Sequence, residues 1–482
     1  MAGIFGIALP NQYREVVGRI ETIRHRGRAA TAVVEHRKAT LGEVHGASLG
    51  MWLGRTPGCA AVFDGALFNW QSLSREALDV DQAIDDAFRR LGTRILDRLD
   101  GPFALAVAHD KGIFIARDPV GIAPLYRGYK DGALCFASEV KALLGWASDV
   151  SEFPPGHWCG ADGRLVPYTT VDRLDIRELG DPAQVLRSVL AESVFRRAST
   201  TRHLGCWLSG GIDSSAMAAL AASCVPTLNT FSVGLSGAPD LAFARHVARH
   251  IGSEHHELCL QPRELVDALP TVIGALESFD ALLVRSSLMN YFAGKIAADC
   301  VEAVLSGEGG DELFAGYDYL KTIPHSELDT ELIDITGRLH NTALQRVDRC
   351  SAVHGLKAFV PLLDSNVRKL AFSLDADCKI RRGRRVVDKW VLRESMVPLL
   401  PSDVVSRPKE KFWQGAGVSG VIEAYAESVI EDSAFHRNRV LSDGTSLNSK
   451  EEYLYFLMFT ECFGELNDYS FVGRTKNAPR AA

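Results

Sequence analysis

The residues Ser209-Gly210-Gly211-Ile212-Asp213-Ser214-Ser215 hold the most chemistry for their length, because their flanks give the turn a direction. Before them, His203 to Leu208 reads as a short buried strand. After them, Ser214 to Ala222 is rich in Ala, Met and Leu and predicts a helix. A strand entering a Ser/Gly turn that opens a helix aims several backbone N–H groups and the positive helix end at one point, which suits an anion. Glycine lets the backbone approach closely, and Asp213 is placed to hold the Mg²⁺ that accompanies a nucleotide. The GK[ST] ending of a Walker loop is missing, so this is not an ordinary P-loop. Ser-Gly-Gly alone would be weak; with Asp and two serines at this spacing, nucleotide binding is the stronger reading.

A second cluster runs Ser306-Gly307-Glu308-Gly309-Gly310-Asp311-Glu312-Leu313-Phe314-Ala315-Gly316-Tyr317. Four glycines and three carboxylates directly after the apolar run Ala303 to Leu305 make poor core material. Small residues would let a nucleotide lie against the backbone. Asp311 would join Asp213 in holding Mg²⁺ between phosphates, and Glu308 would face the reacting carbon. The alternative is a solvated acidic turn. Two lysines stand downstream: Lys389 in the helical stretch Val386 to Ser395, and Lys409 in a Pro-flanked, mixed-charge loop. On residue type alone each reads as an exposed lysine.

Strand–helix alternation must position these turns. Beyond about residue 180, helical patterns (Val185 to Arg197, Ser214 onward, Phe243 to Ile251, Leu265 to Leu276) alternate with apolar strands (Leu204 to Leu208, Thr230 to Gly234, Ala303 to Gly307). Pro270 should kink or divide the last of those helices. The alternation implies a doubly wound parallel sheet, whose ligands bind at the carboxyl ends of its strands. Residues 1 to 170 are instead β-rich, with strands expected at Ile4 to Leu9, Ala60 to Phe63, Phe103 to Ala108, Ile113 to Ala116 and Leu134 to Ala137. Helical spacing marks Gln12 to Arg24 and Val80 to Leu96 there. The expected organisation is a domain over 1–170, a second over 180–472 and a flexible polar tail over 473–482. No internal repeat is visible.

Composition narrows the class. With 482 residues, 46% hydrophobic and 23% charged, the chain reads as an ordinary globular protein of two or three domains. A formal charge of −7 without a long basic run argues against a nucleic-acid partner. No apolar stretch approaches the roughly 20 residues that span a bilayer, so no membrane association is expected. Ten cysteines without a C-x-x-C pair indicate neither a zinc site nor a disulfide framework. With an uncharged, non-export N-terminus, Met1-Ala2-Gly3-Ile4-Phe5-Gly6, the expectation is a reduced, cytoplasmic protein.

The motifs together resemble the asparagine synthetase family, which includes the β-lactam and carbapenam synthetases. The likeness rests on Leu208 to Ser215, Thr230 to Leu235 with Pro239-Asp240-Leu241, Ser306 to Tyr317, Val360-Pro361-Leu362-Leu363-Asp364 and Arg407-Pro408-Lys409-Glu410-Lys411-Phe412. The resemblance implies an N-terminal Ntn-hydrolase-like (class II glutamine amidotransferase) αββα domain and a C-terminal PP-loop ATP pyrophosphatase domain with a parallel sheet, mixed α/β and α+β overall. It implies that ATP and Mg²⁺ activate a carboxylate as its acyl adenylate, releasing pyrophosphate, and that an amine attacks to give an amide and AMP. By the same resemblance Ser209, Gly210, Gly211, Asp213 and Ser214 hold the pyrophosphate end, Leu208, Val233 and Gly307 border adenosine, and Ser215 and Ser306 belong to the same nucleotide-binding set. Asp213 and Asp311 carry Mg²⁺, Lys389 and Lys409 neutralise the departing pyrophosphate, and a homodimer is the implied assembly. Adenylation builds negative charge on the bridging oxygen and leaving group, which metal ions and fixed cations offset.

Two departures from the family pattern matter. Glu and Arg usually precede the Val-Pro-x-Leu-Asp motif, where this chain has Lys357 and Phe359. In the lactam formers that Glu forms a proton-relay dyad with a Tyr, at whose position Glu308 stands; an ammonium cannot accept a proton, so the relay is lost here. The expectation is a different acyl substrate or an amine needing no such help; alternatively, Lys357 pairs with a substrate carboxylate. Further substrate-pocket candidates are Glu277, Asp280 and Arg285, which would read a polar substrate or pair with each other, and Gly310. In the first half, Ala2 replaces the nucleophilic Cys of the glutamine-dependent members, and their Asn-Gly-Glu stretch is Asp64-Gly65-Ala66. Alanine offers no nucleophile, Asp64 would oppose an oxyanion, and Ala66 cannot bind an ammonium. His25-Arg26-Gly27, Ala116 to Gly121 and Phe136 to Leu143 survive as structural pieces.

The reading is an AMP-forming amide synthetase joining a small carboxylic acid to a free amine, without glutaminase activity, in specialised metabolism. The alternatives are lactam-type cyclisation, ammonia-dependent asparagine synthesis and a silent scaffold.

Overall fold

A computed structural model describes residues 2–27, 29–46, 59–171, 173–174, 180–383, 385–408, 415–418 and 420–475. The chain divides into two compact units, Met1–Thr170 and Val171–Ala482.

The first unit is built on two antiparallel sheets among its described residues. Strands β1 (Ala2–Ile7), β2 (Ala30–His36), β3 (Ala39–His45), β7 (Tyr126–Lys130), β8 (Ala133–Ala137) and β9 (Ser148–Glu152) form one, in the order β2-β3-β1-β8-β7-β9. Strands β4 (Cys59–Gly65), β5 (Phe103–His109), β6 (Gly112–Arg117), β10 (His157–Cys159) and β11 (Val166–Pro167) form the other, ordered β11-β10-β6-β5-β4. Alternation along each strand sends Ile4, Leu41, Val62, Ala106 and Phe136 into a core between the sheets. The opposite face of the second sheet, with Phe63, Leu105 and Val107, packs on the helix Val80–Leu91. The helix Tyr13–Glu21 covers the first sheet through Val16 and Ile20. This is the expected αββα layering. The expected helix to Leu96 ends at Leu91 and continues as the 3₁₀ segment Gly92–Asp97.

The second unit holds a parallel sheet of β12 (Leu204–Trp207), β13 (Asn229–Leu235), β14 (Glu254–Leu260), β15 (Ala303–Leu305) and β16 (Lys357–Phe359), ordered β14-β13-β12-β15-β16. The order reverses between β12 and β15, and the crevice outside their carboxyl ends is where such sheets take ligands. Helices Ile212–Ala222, Pro239–Ile251 and Ala281–Ala298 are crossovers, and the elements beyond β15 are mostly helices. The helix Pro262–Leu276 runs through Pro270 without dividing; its start is secured by a Gln261/Glu264 capping box. Residues 473–475 are anchored rather than loose. Thr475 donates from N and Oγ1 to the Asp280 carboxylate (3.0 and 2.7 Å), and Arg474 pairs with Glu452 (2.7 Å). Residues 476–482 lie outside the described residues.

Candidate active site

Both turns singled out in the sequence meet at the reversal point. Ser209 follows the end of β12, and Gly211 caps the helix Ile212–Ala222 with extended backbone. Within the turn, Ser214 Oγ donates to the Gly211 carbonyl (3.2 Å) and accepts from Ser209 N (3.2 Å), so Ser209 and Ser214 shape the loop themselves. Gly210 has φ +73, and a Cβ there would lie 2.7 Å from Ala244 N, so only glycine suits the turn against the helix Pro239–Ile251. From the other side, a Cβ on Gly307 would come within 2.8 Å of Ser214 N, and one on Gly310 would overlap the Asp213 carboxylate. The glycines of the second cluster therefore let the two turns touch.

The charge at that junction is concentrated. Lys389, fully buried, places Nζ against the Asp213 carboxylate and 2.6 Å from Asp311 Oδ1. Asp213 Oδ1 is buried and has no hydrogen-bond partner among the described residues. Two carboxylates from different strand ends facing one ammonium, with a carboxylate oxygen left over, is a donor set that fits a hard divalent cation such as Mg²⁺. Lys389 itself differs from expectation: it precedes the helix Trp390–Met396 rather than lying within it, and its left-handed backbone (φ 50) turns the side chain inward. Its amide donates to the Phe314 carbonyl (3.1 Å), tying it to the second cluster.

A cleft at this point is lined by Leu208, Ser209, Gly211, Asp213, Val233 and Gly307, with Ser214, Ser306, Glu308 and Lys389 also on its wall. Two expected members are not on it. Gly210 packs against Phe243, and Ser215 lies fully buried on the inner face of its helix. Lys409 lies outside the described residues. Just before it, Arg407 closes one side of the cleft, bonding Asp240 (2.6 Å) and the Ser209 carbonyl (3.2 Å) while stacking over Phe243.

A second cavity, of about 430 Å³, opens next to the first, and Glu308 lines both. Asp311, Glu312, Tyr317 and Arg346 form its polar side; Leu282, Leu283, Ile335 and Leu339 form its apolar side. Glu308 is ion-paired with Arg346, from the helix Ala343–Ala352. Below them the Tyr317 hydroxyl donates to Glu312, which is buried. Burial, with Asp311 nearby, raises the Glu312 carboxyl to about 7, and burial with Glu312 pushes the Tyr317 phenol up. The sequence does not single out Arg346, because one arginine on an amphipathic helix reads as surface; only its placement opposite Glu308 distinguishes it.

All five substrate-pocket candidates need correcting: Gly310 packs against the Asp213 carboxylate and lines neither cavity. Glu277 is buried against Arg349 (3.2 Å), and Asp280 caps the helix Ala281–Ala298 by accepting from Leu283 N (2.9 Å). Arg285 pairs with Glu451 (Nε to Oε1 2.6 Å). All three are structural, they do not pair with each other, and none lines either cavity. Lys357 opens the sheet-edge strand β16, opposite Ala303 at the start of β15, with Nζ 5.3 Å from the Phe359 ring. It stands away from the carboxyl ends and lines neither cavity.

In the first unit, Arg26 bridges Asp64 (3.1 Å) and Glu139 (2.9 Å) and donates from Nε to the Ala2 carbonyl (2.9 Å). Ser138 Oγ donates to Asp64 (2.8 Å) and accepts from Ile4 N (2.9 Å). The Asp118 carboxylate accepts from the backbone of Val120, Gly121, Ile122 and Ala123, and Arg117 donates to the carbonyls of Gly121, Ala123 and Phe153. The surviving sequence pieces thus hold turns and a buried charge network.

The family described as Asparagine synthase is matched over residues 185–332 and 324–480, and the Glutamine amidotransferase domain over residues 1–154. Asparagine synthetase [glutamine-hydrolyzing] 3 of Arabidopsis thaliana is 34% identical over 450 residues, covering 84% of this chain and 75% of that one. Asparagine synthetase B [glutamine-hydrolyzing] of Escherichia coli (strain K12) is 32% identical over 481 residues, covering 92% and 86%. Combined with a parallel sheet whose strand ends carry the paired turns, these matches establish that the chain belongs to the asparagine synthase family of ATP-dependent, C–N bond-forming amide ligases.

Proposed function

We propose that this chain adenylates a small carboxylic acid, releasing pyrophosphate, and passes the acyl group to a free amine in specialised metabolism, without hydrolysing glutamine. The observation that carries the reading is the buried Lys389 between Asp213 and Asp311 at the sheet's reversal point. Leu208, Val233 and Gly307 would flank the adenosine, while Ser209, Gly211 and Ser214 would face the phosphates. Asp213 and Asp311 would hold Mg²⁺, which supplies Lewis-acid charge neutralisation at the phosphate oxygens. Lys389 would meet the negative charge that grows on the leaving pyrophosphate, with Lys409 assigned the same work by family resemblance alone. Glu308, held by Arg346 at the boundary of the two cavities, stands where the acid must approach the nucleotide. The apolar wall of Leu282, Leu283, Ile335 and Leu339 favours an acid with an apolar portion over aspartate.

The relatives' names describe glutamine hydrolysis; three positions separate this chain from it. Ala2 has no nucleophile, Asp64 is committed to Arg26 and Ser138, and Ala66 offers no carboxylate. A matrix of carboxylic acids against amines, read by pyrophosphate release, tests the proposal. Release that requires both an acid and an amine supports it. Release with an acid alone points to cyclisation, silence with every pair points to a scaffold, and glutamate formed from glutamine refutes the loss of glutaminase.

A further inference from the structure

The first unit contains a second cluster of ionisable groups that the synthetase chemistry does not use. On β3, Glu43 and His45 are two residues apart and so face the same way. Leu41, two residues earlier, lies in the core between the sheets. The same alternation takes β1 from Ile4 in that core to Ala2, and β4 from Val62 in that core to Asp64. Strand pairing sets Ala2 opposite His45 and Ile4 opposite Glu43. All four side chains thus converge on one end of the inter-sheet layer, at the position where the family pattern has its nucleophile. Asp81 reaches this end from the first turn of the helix Val80–Leu91.

Ligand atoms of Glu43, His45 and Asp81 all lie within 4.8 Å of one another. Glu43 is 2% and Asp81 5% exposed, yet Glu43 Oε2 and Asp81 Oδ1 have no hydrogen-bond partner among the described residues. The other Glu43 oxygen is 3.2 Å from His45 Nδ1. Among the described residues, the neighbouring carboxylates are already engaged: Asp64 is paired with Arg26 and Asp79 caps the helix at Gln82 N. Buried carboxylate oxygens without a donor are costly unless a proton or a cation serves them. One imidazole and two carboxylates at this spacing match the ligands of first-row divalent metals, and His45, a quarter exposed, gives the site access to solvent.

We propose that this vacated glutaminase position is a divalent transition-metal site, of the Zn²⁺ class, held by Glu43, His45 and Asp81. The competing state is a carboxyl pair sharing a proton. Burial and Asp81 raise the Glu43 carboxyl well above its usual range, and burial and Asp79 raise that of Asp81.

The two are separated by titrating the chelator-stripped full-length protein with Zn²⁺ calorimetrically and with Co²⁺ spectroscopically. The expected result is one Zn²⁺ per chain and Co²⁺ d–d bands without thiolate charge transfer. Glu43→Gln, Asp81→Asn and the more exposed His45→Gln should each weaken binding by about tenfold or more, with circular dichroism unchanged. Equal binding by wild type and variants means an adventitious ion only and overturns the proposal. So does a stripped protein that binds no Zn²⁺ but melts higher as Glu43→Gln, the signature of the shared proton. Should the carboxylate variants fail to fold, His45→Gln alone decides. None of these readouts involves ATP, so their failure leaves the synthetase reading standing.

Discussion

Lys389 is a fully buried ammonium whose cost of leaving water is offset by two carboxylates that would otherwise repel one another. Lys389→Met should therefore lower kcat for pyrophosphate release by about 10²–10³-fold and also lower the melting temperature, since Asp213 and Asp311 lose their counter-charge. Steady-state kinetics beside thermal melting checks both effects. Glu312 makes a different prediction. Its carboxyl, raised to about 7 in the fold, binds more protons folded than unfolded between its ordinary value and 7. Its contribution to stability thus falls as pH climbs through that window. Glu312→Gln should melt higher than wild type at pH 8, by an amount equivalent to about 3 kcal/mol at most, and show little gain near pH 4.5. Melting curves across pH test the sign. Asp213 and Asp311 are legible in the sequence because the types and spacing of their motifs are unusual, whereas Lys389 reads as an exposed lysine and gains its role only from the family resemblance. The roles of Glu277, Asp280 and Arg285 are not, because their partners Arg349, Thr475 and Glu451 come from distant parts of the chain.

At the scale of elements, the site is a product of turns that only small residues permit. Gly316 follows the short helix Gly310–Phe314, and a Cβ on it would overlap both Asp311 and the Lys389 stem. Gly316→Ala should cost about 1–3 kcal/mol from overpacking and remove most pyrophosphate release, although no functional group is lost. Melting and activity measured on one preparation check that the two fall together. The strands that position these turns are readable where they are apolar runs, as in β12, β13 and β15. The Glu254–Leu260 strand is not, because an edge strand carrying Glu, His, His and Glu is half-solvated and lacks an apolar signal. β3 is hidden for a related reason: Glu43 and His45 interrupt its inward face. Helical spacing puts Lys389 inside a helix because it cannot report the left-handed residue that starts one.

At the scale of the whole molecule, the chain has two units, and the chemical signals are unequally divided between them. The second gathers Asp213, Asp311 and Lys389 at a sheet reversal. The first keeps its layers and turn-holding residues but has Ala2, Asp64 and Ala66 where the family pattern has Cys, Asn and Glu. Restoring the nucleophile alone should not restore the activity, because Asp64 stays locked to Arg26 and Ser138. Ala2→Cys is expected to yield no glutamate from glutamine above a protein-free blank, by enzyme-coupled assay. The central claim concerns where ATP is broken. Phosphorus NMR of a turnover mixture containing an accepted acid and amine should show AMP and pyrophosphate in equal amounts, and neither with Asp213→Asn. ADP and orthophosphate as the products would contradict the account.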